Sequence, residues 1–155
     1  MNNYKILLLA DGGAGKSVFL SRILENRFEK KYVATLGVDL QVIRKDENIY
    51  TVWDCAGQEK FSGLGEKYYV GAQGAIFGVD LTNKLSLKNL KNWVSSCHNV
   101  TGNIPCVIVG FKSDIATISD EEVRKYTGTI PYVRVSSKEN TNIEEPFNVL
   151  KGLLL

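Results

Sequence analysis

Short apolar runs alternate along the chain with longer stretches in which apolar residues recur at helical spacing. Tyr4–Ala10 (YKILLLA) reads as a strand buried on both faces, and Gly74–Asp80 (GAIFGVD), Pro105–Gly110 (PCVIVG) and Tyr132–Val135 have the same character. Between them, Val18, Leu20, Ile23 and Leu24, and later Leu87, Leu90 and Val94, repeat every three to four residues and predict helices. Ser119-Asp120-Glu121-Glu122 predicts a helix start, with a capping hydroxyl followed by an acidic first turn. Ile143–Leu154 predicts a last helix with Phe147, Leu150 and Leu154 on one face and Pro146 early enough to be tolerated. One region breaks the alternation. Val38–Arg44 and Ile49–Asp54 both alternate as strands and are joined only by residues 45–48, enough for a hairpin but not for a parallel crossover. The pattern therefore predicts an α/β fold, a mostly parallel sheet with helices on both faces and one antiparallel strand. In such a sheet ligands bind at the carboxyl ends of the strands.

Composition narrows this picture. At 155 residues the expectation is a single domain spanning 1–155, and 44% apolar with 23% charged residues excludes a disordered chain. A net charge of +2 is too mild for a nucleic-acid or membrane surface, so no nucleic-acid partner is expected. No targeting or spanning segment is legible, which predicts a soluble intracellular protein of the cytoplasm or nucleus. Cys55, Cys97 and Cys106 lie far apart without metal-ligand spacing and read as small core residues in a reducing compartment. His98, the one histidine, falls in a polar stretch read as a loop and is neither a metal ligand nor a catalytic base. Asn99-Val100-Thr101 fits a glycosylation sequon but has no secretion signal to give it meaning.

The chemistry concentrates after the first strand. Ala10-Asp11-Gly12-Gly13-Ala14-Gly15-Lys16-Ser17 fits the phosphate-loop pattern at every required position except the first glycine, here Ala10. Gly12, Gly13 and Gly15 allow the backbone to curl so that its N–H groups converge on phosphate oxygens, and the helix N-terminus that follows favours an anion. Lys16 is placed to reach the phosphates as a point charge, and Ser17 to give an oxygen to Mg²⁺. Asp54, at a strand end, is a second candidate for holding Mg²⁺ through water, and Gly57 can offer its N–H to a terminal phosphate.

With Asp54-x-x-Gly57-Gln58, this loop resembles the small Ras-like GTPases. Phe28–Asp39 (FEKKYVATLGVD) and Trp53–Phe61 resemble the Ran subfamily, the nuclear-transport GTPases, in particular. The resemblance implies the phosphate-loop, Ras-like three-layer sandwich with a six-stranded sheet, GTP and GDP as ligands, and Mg²⁺. It further implies that Thr35 binds Mg²⁺ and senses the terminal phosphate, that Tyr32 closes over the phosphates, and that Phe28 packs against the base. Gln58 would orient the attacking water, with Lys16, Thr35 and Gly57 completing the catalytic set. Asp11, Ala14 and Val18 join the nucleotide-binding residues. No arginine stands out in the chain to stabilise the transition state, Arg27 being only the nearest by sequence, so unassisted hydrolysis is expected to be slow and to need an activating protein.

The base-reading segment departs from the family. Where the family has Asn-Lys-x-Asp, this chain has Phe111-Lys112-Ser113-Asp114. The Asp114 carboxylate can accept from N1–H and the 2-amino group of guanine, donors adenine lacks. Lys112 can lie along the base, and Ser136-Ser137-Lys138 resembles the family's Ser-Ala-Lys, with the Ser137 N–H facing the guanine oxygen. Phe111 cannot make the hydrogen bonds of the missing Asn, which in the family touch the base and brace the phosphate loop. A loss of about 1–3 kcal/mol, or roughly ten- to a hundredfold in affinity, follows, with faster exchange.

The resemblance implies an exchange factor, an activating protein and transport-receptor effectors as partners of a monomer. Lys60, Phe61, Leu64, Tyr68 and Tyr69 form either an aromatic partner surface or, for the two tyrosines, core packing. Arg124–Gly128 is less basic than the corresponding stretch of the Ran subfamily, which weakens the expectation of receptor contacts there. No carboxy-terminal cysteine follows the last helix, so no lipid anchor is expected. Nor does an acidic tail like that of the Ran subfamily follow, which predicts weaker discrimination between nucleotide states by a receptor. The competing reading is a weakly hydrolysing mimic that occupies transport receptors or regulators as a binding module.

Overall fold

The computed structural model describes residues 2–33, 38–54 and 68–154, and the side chains of these except 24–33 and 38–39. In chain order the elements are β1 (Asn2–Leu9), α1 (Lys16–Arg27), β2 (Phe28–Val33), β3 (Val38–Lys45), β4 (Asn48–Asp54), β5 (Gly74–Asp80), α2 (Lys84–Thr101), β6 (Cys106–Phe111), α3 (Asp120–Thr127), β7 (Tyr132–Arg134) and α4 (Glu145–Leu154), with a short 3₁₀ turn over Ser113–Ile115. The strands form one sheet in the order β2-β3-β4-β1-β5-β6-β7. β4, β1, β5, β6 and β7 run parallel, and β3 alone runs against its neighbours.

The expected six strands and single antiparallel member are all present, and a seventh extends them. Phe28–Val33 pairs antiparallel along the outer edge of β3, from Phe28 opposite Ile43 to Val33 opposite Val38. Its sequence, FEKKYV, lacks apolar alternation because an edge strand needs only backbone partners, and charged residues there discourage further pairing. The β3–β4 hairpin closes through Asp46 and Glu47, both at positive φ (52° and 64°), as a tight two-residue connection requires.

Side chains of β1 alternate between two apolar layers. Ile6 and Leu8 join Phe19, Leu20, Ile23, Phe147 and Leu150 of α1 and α4 on one face. Leu7 and Leu9 join Leu87, Leu90, Trp93 and Val123 of α2 and α3 on the other. This is the three-layer arrangement that continuous apolar strands predict. Ser119 caps α3 as expected, its Oγ accepting from Glu122 N at 3.2 Å. His98 lies within α2 rather than in a loop, because the helix runs on through Asn99, Val100 and Thr101 before Gly102 ends it. Among the described residues no helix is long and apolar enough to cross a membrane. Cys97 and Cys106 are buried free thiols, the first pushed up by burial and the second pushed up to about 11 by burial and the neighbouring Cys97; Cys55 lies outside the described residues.

Candidate functional site

The parallel strands all end on one edge, where β1 passes into the glycine-rich loop, β4 ends in Asp54, β5 in Asp80 and β6 in Phe111. The loop turns first at Asp11, whose carbonyl accepts from Ala14 N at 3.1 Å, and enters α1 as Gly15 O accepts from Phe19 N at 3.0 Å. Gly13 and Gly15 hold φ of +79° and +127°, conformations that side chains resist. A Cβ on Gly12 or Gly13 would meet no protein atom within 4 Å, whereas one on Gly15 would stand 3.0 Å from Phe111 Cβ. The loop is thus open outward and tightly backed from within. Val18, one of the apolar residues whose spacing predicts this helix, is 56% exposed just past the loop on α1.

Lys16 and Asp54 are 8% and 9% exposed at their side chains, with Lys16 Nζ 3.3 Å from Asp54 Oδ1. That carboxylate oxygen is buried and accepts no hydrogen bond. A hard anionic oxygen with open acceptor capacity, at the end of the strand paired beside β1, is the donor type that suits Mg²⁺. Among the described residues no cluster of three or more His, Cys, Asp or Glu side chains is built to cage a metal.

Next to the loop opens a cleft of about 220 Å³ lined by Gly15, Val18, Phe111, Lys112, Asp114, Ile115, Ser137 and Lys138. These come from the phosphate loop and α1, the end of β6 with the 3₁₀ turn after it, and the loop after β7, and they include Phe111, Lys112, Asp114, Ser137 and Lys138 of the base-reading positions expected from the sequence. Ser136 is buried behind them, and its Oγ donates to Asp114 Oδ1 at 2.9 Å while accepting from Glu139 N at 3.0 Å. The second Asp114 oxygen makes no part of that contact. Lys112 takes the left-handed conformation (φ 64°), and its ammonium donates to Asp80 Oδ2 at 2.8 Å and lies 3.3 Å from Gly13 O. It therefore ties the base cleft to the phosphate loop.

Asp80 also accepts from Thr82 N at 2.8 Å and Thr82 Oγ1 at 2.6 Å. Burial by itself pushes this carboxyl up, but the Lys112 ammonium and the two Thr82 donors outweigh it and hold the group below the usual carboxylate range. A carboxyl depressed on folding contributes stability that is present above its unfolded pKa of about 4 and is lost as pH falls through the folded value. Asp80→Asn is accordingly expected to lower stability at pH 7 and to flatten the acid limb of a stability–pH curve measured by urea unfolding from acid to neutral pH.

Phe111 does more than fail to be Asn. It is 1% exposed, its ring lies 5.4 Å from that of Phe19, and it fills the space under the phosphate loop. A Cβ on Gly78 of β5 would overlap Phe111 Cε2 at 2.3 Å and stand 3.1 Å from Ala10 Cβ. Ala10 and Phe111, departures from the family pattern in the phosphate loop and the base-reading segment, thus meet around Gly78 as one packed unit with Gly15.

Some contacts around the candidate site have no motif. Arg22 of α1 donates to Ser137 O at 2.6 Å and Lys138 O at 3.1 Å, fixing the loop that borders the cleft. Asp11 accepts from Asn89 Nδ2 at 2.8 Å and Trp93 Nε1 at 2.9 Å. The i, i+4 spacing of Asn89 and Trp93 on one helix face is the one hint in the sequence that they act together. Of the aromatic group beyond Gln58, Tyr68 is 1% exposed, donates to Trp53 O at 2.5 Å and packs edge-on against Trp53 and Tyr69, so it belongs to the core. Thr35, Gly57, Gln58, Lys60, Phe61 and Leu64, and the side chains of Arg27, Phe28 and Tyr32, lie outside the described residues.

A model of the Ras family matches residues 5–154, which takes in the phosphate loop, Asp54 and the cleft around Asp114. Small GTPases of this family bind GTP and GDP with Mg²⁺, hydrolyse GTP and pass between nucleotide states read by exchange factors, activating proteins and effectors. The chain belongs to the Ras family of small nucleotide-binding GTPases.

Proposed function

We propose that the chain is a guanine-nucleotide switch of the Ran type, hydrolysing GTP slowly until an activating protein assists it. Its switch segments, 28–39 and 53–61, would engage transport-receptor partners. The observation that supports this reading most is the Lys16–Asp54 pair at the phosphate loop together with a cleft that shares Gly15 with that loop and in which Ser136 holds Asp114. In it, Lys16 neutralises phosphate charge, and the backbone of 11–17 donates to phosphate oxygens. Asp114 accepts from the guanine edge, Ser137 N–H donates to the guanine oxygen, and Lys112 lies along the base. Bound Mg²⁺ supplies Lewis-acid neutralisation of charge on the phosphates, with Ser17, Thr35 and Asp54 as the residues that hold it directly or through water. Gln58 orients the attacking water and Gly57 meets the terminal phosphate. Phosphoryl transfer needs this positioning and charge neutralisation rather than a protein nucleophile.

The Phe111 packing favours a second reading, a mimic that keeps the partner surface and barely hydrolyses. Single-turnover GTP hydrolysis by the unsubstituted protein and by Gln58→Leu separates the two. The switch reading expects a rate on the order of 10⁻⁴ to 10⁻³ per second that falls at least about tenfold in the variant. Equal rates in both proteins remove Gln58 from the mechanism and leave the mimic.

A further inference from the structure

The phosphate loop contains one anion of its own. Asp11 stands at its first turn, immediately before Gly12 and Gly13, in a backbone whose N–H groups are curled to receive negative charge. A carboxylate turned into that concavity competes with phosphate for the same donors and repels it through Coulomb interaction. Here both its oxygens are engaged from outside the loop. Asn89 Nδ2 donates to Oδ2 at 2.8 Å and Trp93 Nε1 donates to Oδ1 at 2.9 Å. Both donors come from α2, one turn apart on the same face, and Trp93 is anchored in the core layer beneath that helix. The Trp93 indole N–H can only donate, so it suits a permanent acceptor and not the empty loop. The four residues Asp11, Asn89, Asn92 and Trp93 border a small cleft on the side of the loop that faces α2.

We infer that Asn89 and Trp93 are positioning residues for nucleotide binding, a clamp that holds the Asp11 carboxylate away from the phosphates and thereby sets how strongly the loop tolerates the third phosphate. This rests on the reading of residues 10–17 as the seat of a nucleotide's phosphates. A released carboxylate opposes GTP more than GDP, because GTP carries more negative charge. The repulsion also weakens as salt screens it. A clamp with only a structural role would lower both affinities together and would be indifferent to the charge at position 11.

The test compares the unsubstituted full chain with Asn89→Ala and Trp93→Phe, and with each of these carrying Asp11→Asn as well. GDP and GTP dissociation constants are measured in Mg²⁺ at low and high salt, alongside thermal unfolding. The expected result is an affinity loss of about threefold for GDP and tenfold for GTP in the single variants, smaller at high salt, with the GTP-to-GDP ratio recovered once Asp11→Asn removes the charge. Asn89→Ala, at a partly exposed position, carries the test if Trp93→Phe unfolds. Equal losses for both nucleotides, no loss, or no recovery with Asp11→Asn overturn the inference. Failure of the unsubstituted protein to bind either nucleotide overturns the nucleotide reading itself, and the clamp with it.

Discussion

Phe111→Asn is expected to destabilise the nucleotide-free protein by about 3–5 kcal/mol and yet to slow release of bound GDP about ten- to a hundredfold. The opposite signs follow from the two things this position does. As an apolar group it fills the space between Phe19, Ala10, Gly15 and Gly78, so its removal leaves a cavity and places a polar amide among hydrocarbon. As the residue in the place of the family's Asn, it withholds hydrogen bonds that would brace the loop and touch the base. Thermal unfolding without nucleotide reads the first effect, with a fall of about 6–20 °C for a domain of this size. Displacement of a fluorescent GDP analogue at saturating Mg²⁺, below the variant's melting range, reads the second. Gly78→Ala supplies the control. It is expected to cost about 1–3 kcal/mol beside Phe111, where its Cβ has no room, and to cost much less in the Phe111→Asn background, where the ring is gone. Release that is no slower in Phe111→Asn contradicts the account of weakened nucleotide binding, and additive costs contradict the shared packing unit.

The second large effect is at Lys16. Lys16→Met removes the charge aimed at the phosphates and strands a buried carboxylate, because Asp54 is 9% exposed and loses its ion-pair partner. The expected cost to folding is about 3–5 kcal/mol. GDP affinity should also fall about ten- to a hundredfold. These losses are separable. Adding Asp54→Asn removes the unpaired charge, so the double variant should regain most of its stability while its GDP affinity stays below that of Asp54→Asn alone. Recovery of both together would show that Lys16 acts on the nucleotide only through the integrity of the fold.

Much of this site is legible in the chain because its chemistry is encoded in contiguous residues. The loop over 10–17 follows β1 and opens α1, so spacing alone tells which residues curl and which charge stands at the helix entry. Asp114 and Ser137 are legible only through the resemblance of their short segments to the family's base-reading pattern, since nothing in their spacing alone marks them. What escapes depends on residues brought together from different strands. Ala10, Gly78 and Phe111 lie on β1's end, β5 and β6, and each alone looks like an ordinary core position or an isolated departure. The Asp11 clamp joins the loop to α2, and Arg22 joins α1 to the loop after β7, contacts between segments far apart in the chain that are hinted at only by the i, i+4 spacing of Asn89 and Trp93. Val18, expected among the nucleotide-binding residues, is exposed and lines the cleft, a placement its helical spacing alone does not reveal because periodicity puts it on a helix without saying which face meets solvent. Phe28–Val33 escapes as a strand because its pairing is carried by the backbone, and His98 reads as a loop residue because polar residues dominate the last turn of α2.

The most direct test of the central claim is the identity of the small molecule carried by the purified protein. Protein prepared in Mg²⁺ without chelator is denatured, and the released nucleotides are separated by anion-exchange chromatography and quantified against protein. A guanine nucleotide, GDP or GTP, at close to one per chain is the predicted result. ATP in its place, or no nucleotide at a comparable level, would contradict the reading of Asp114 and the cleft beside it as a guanine site.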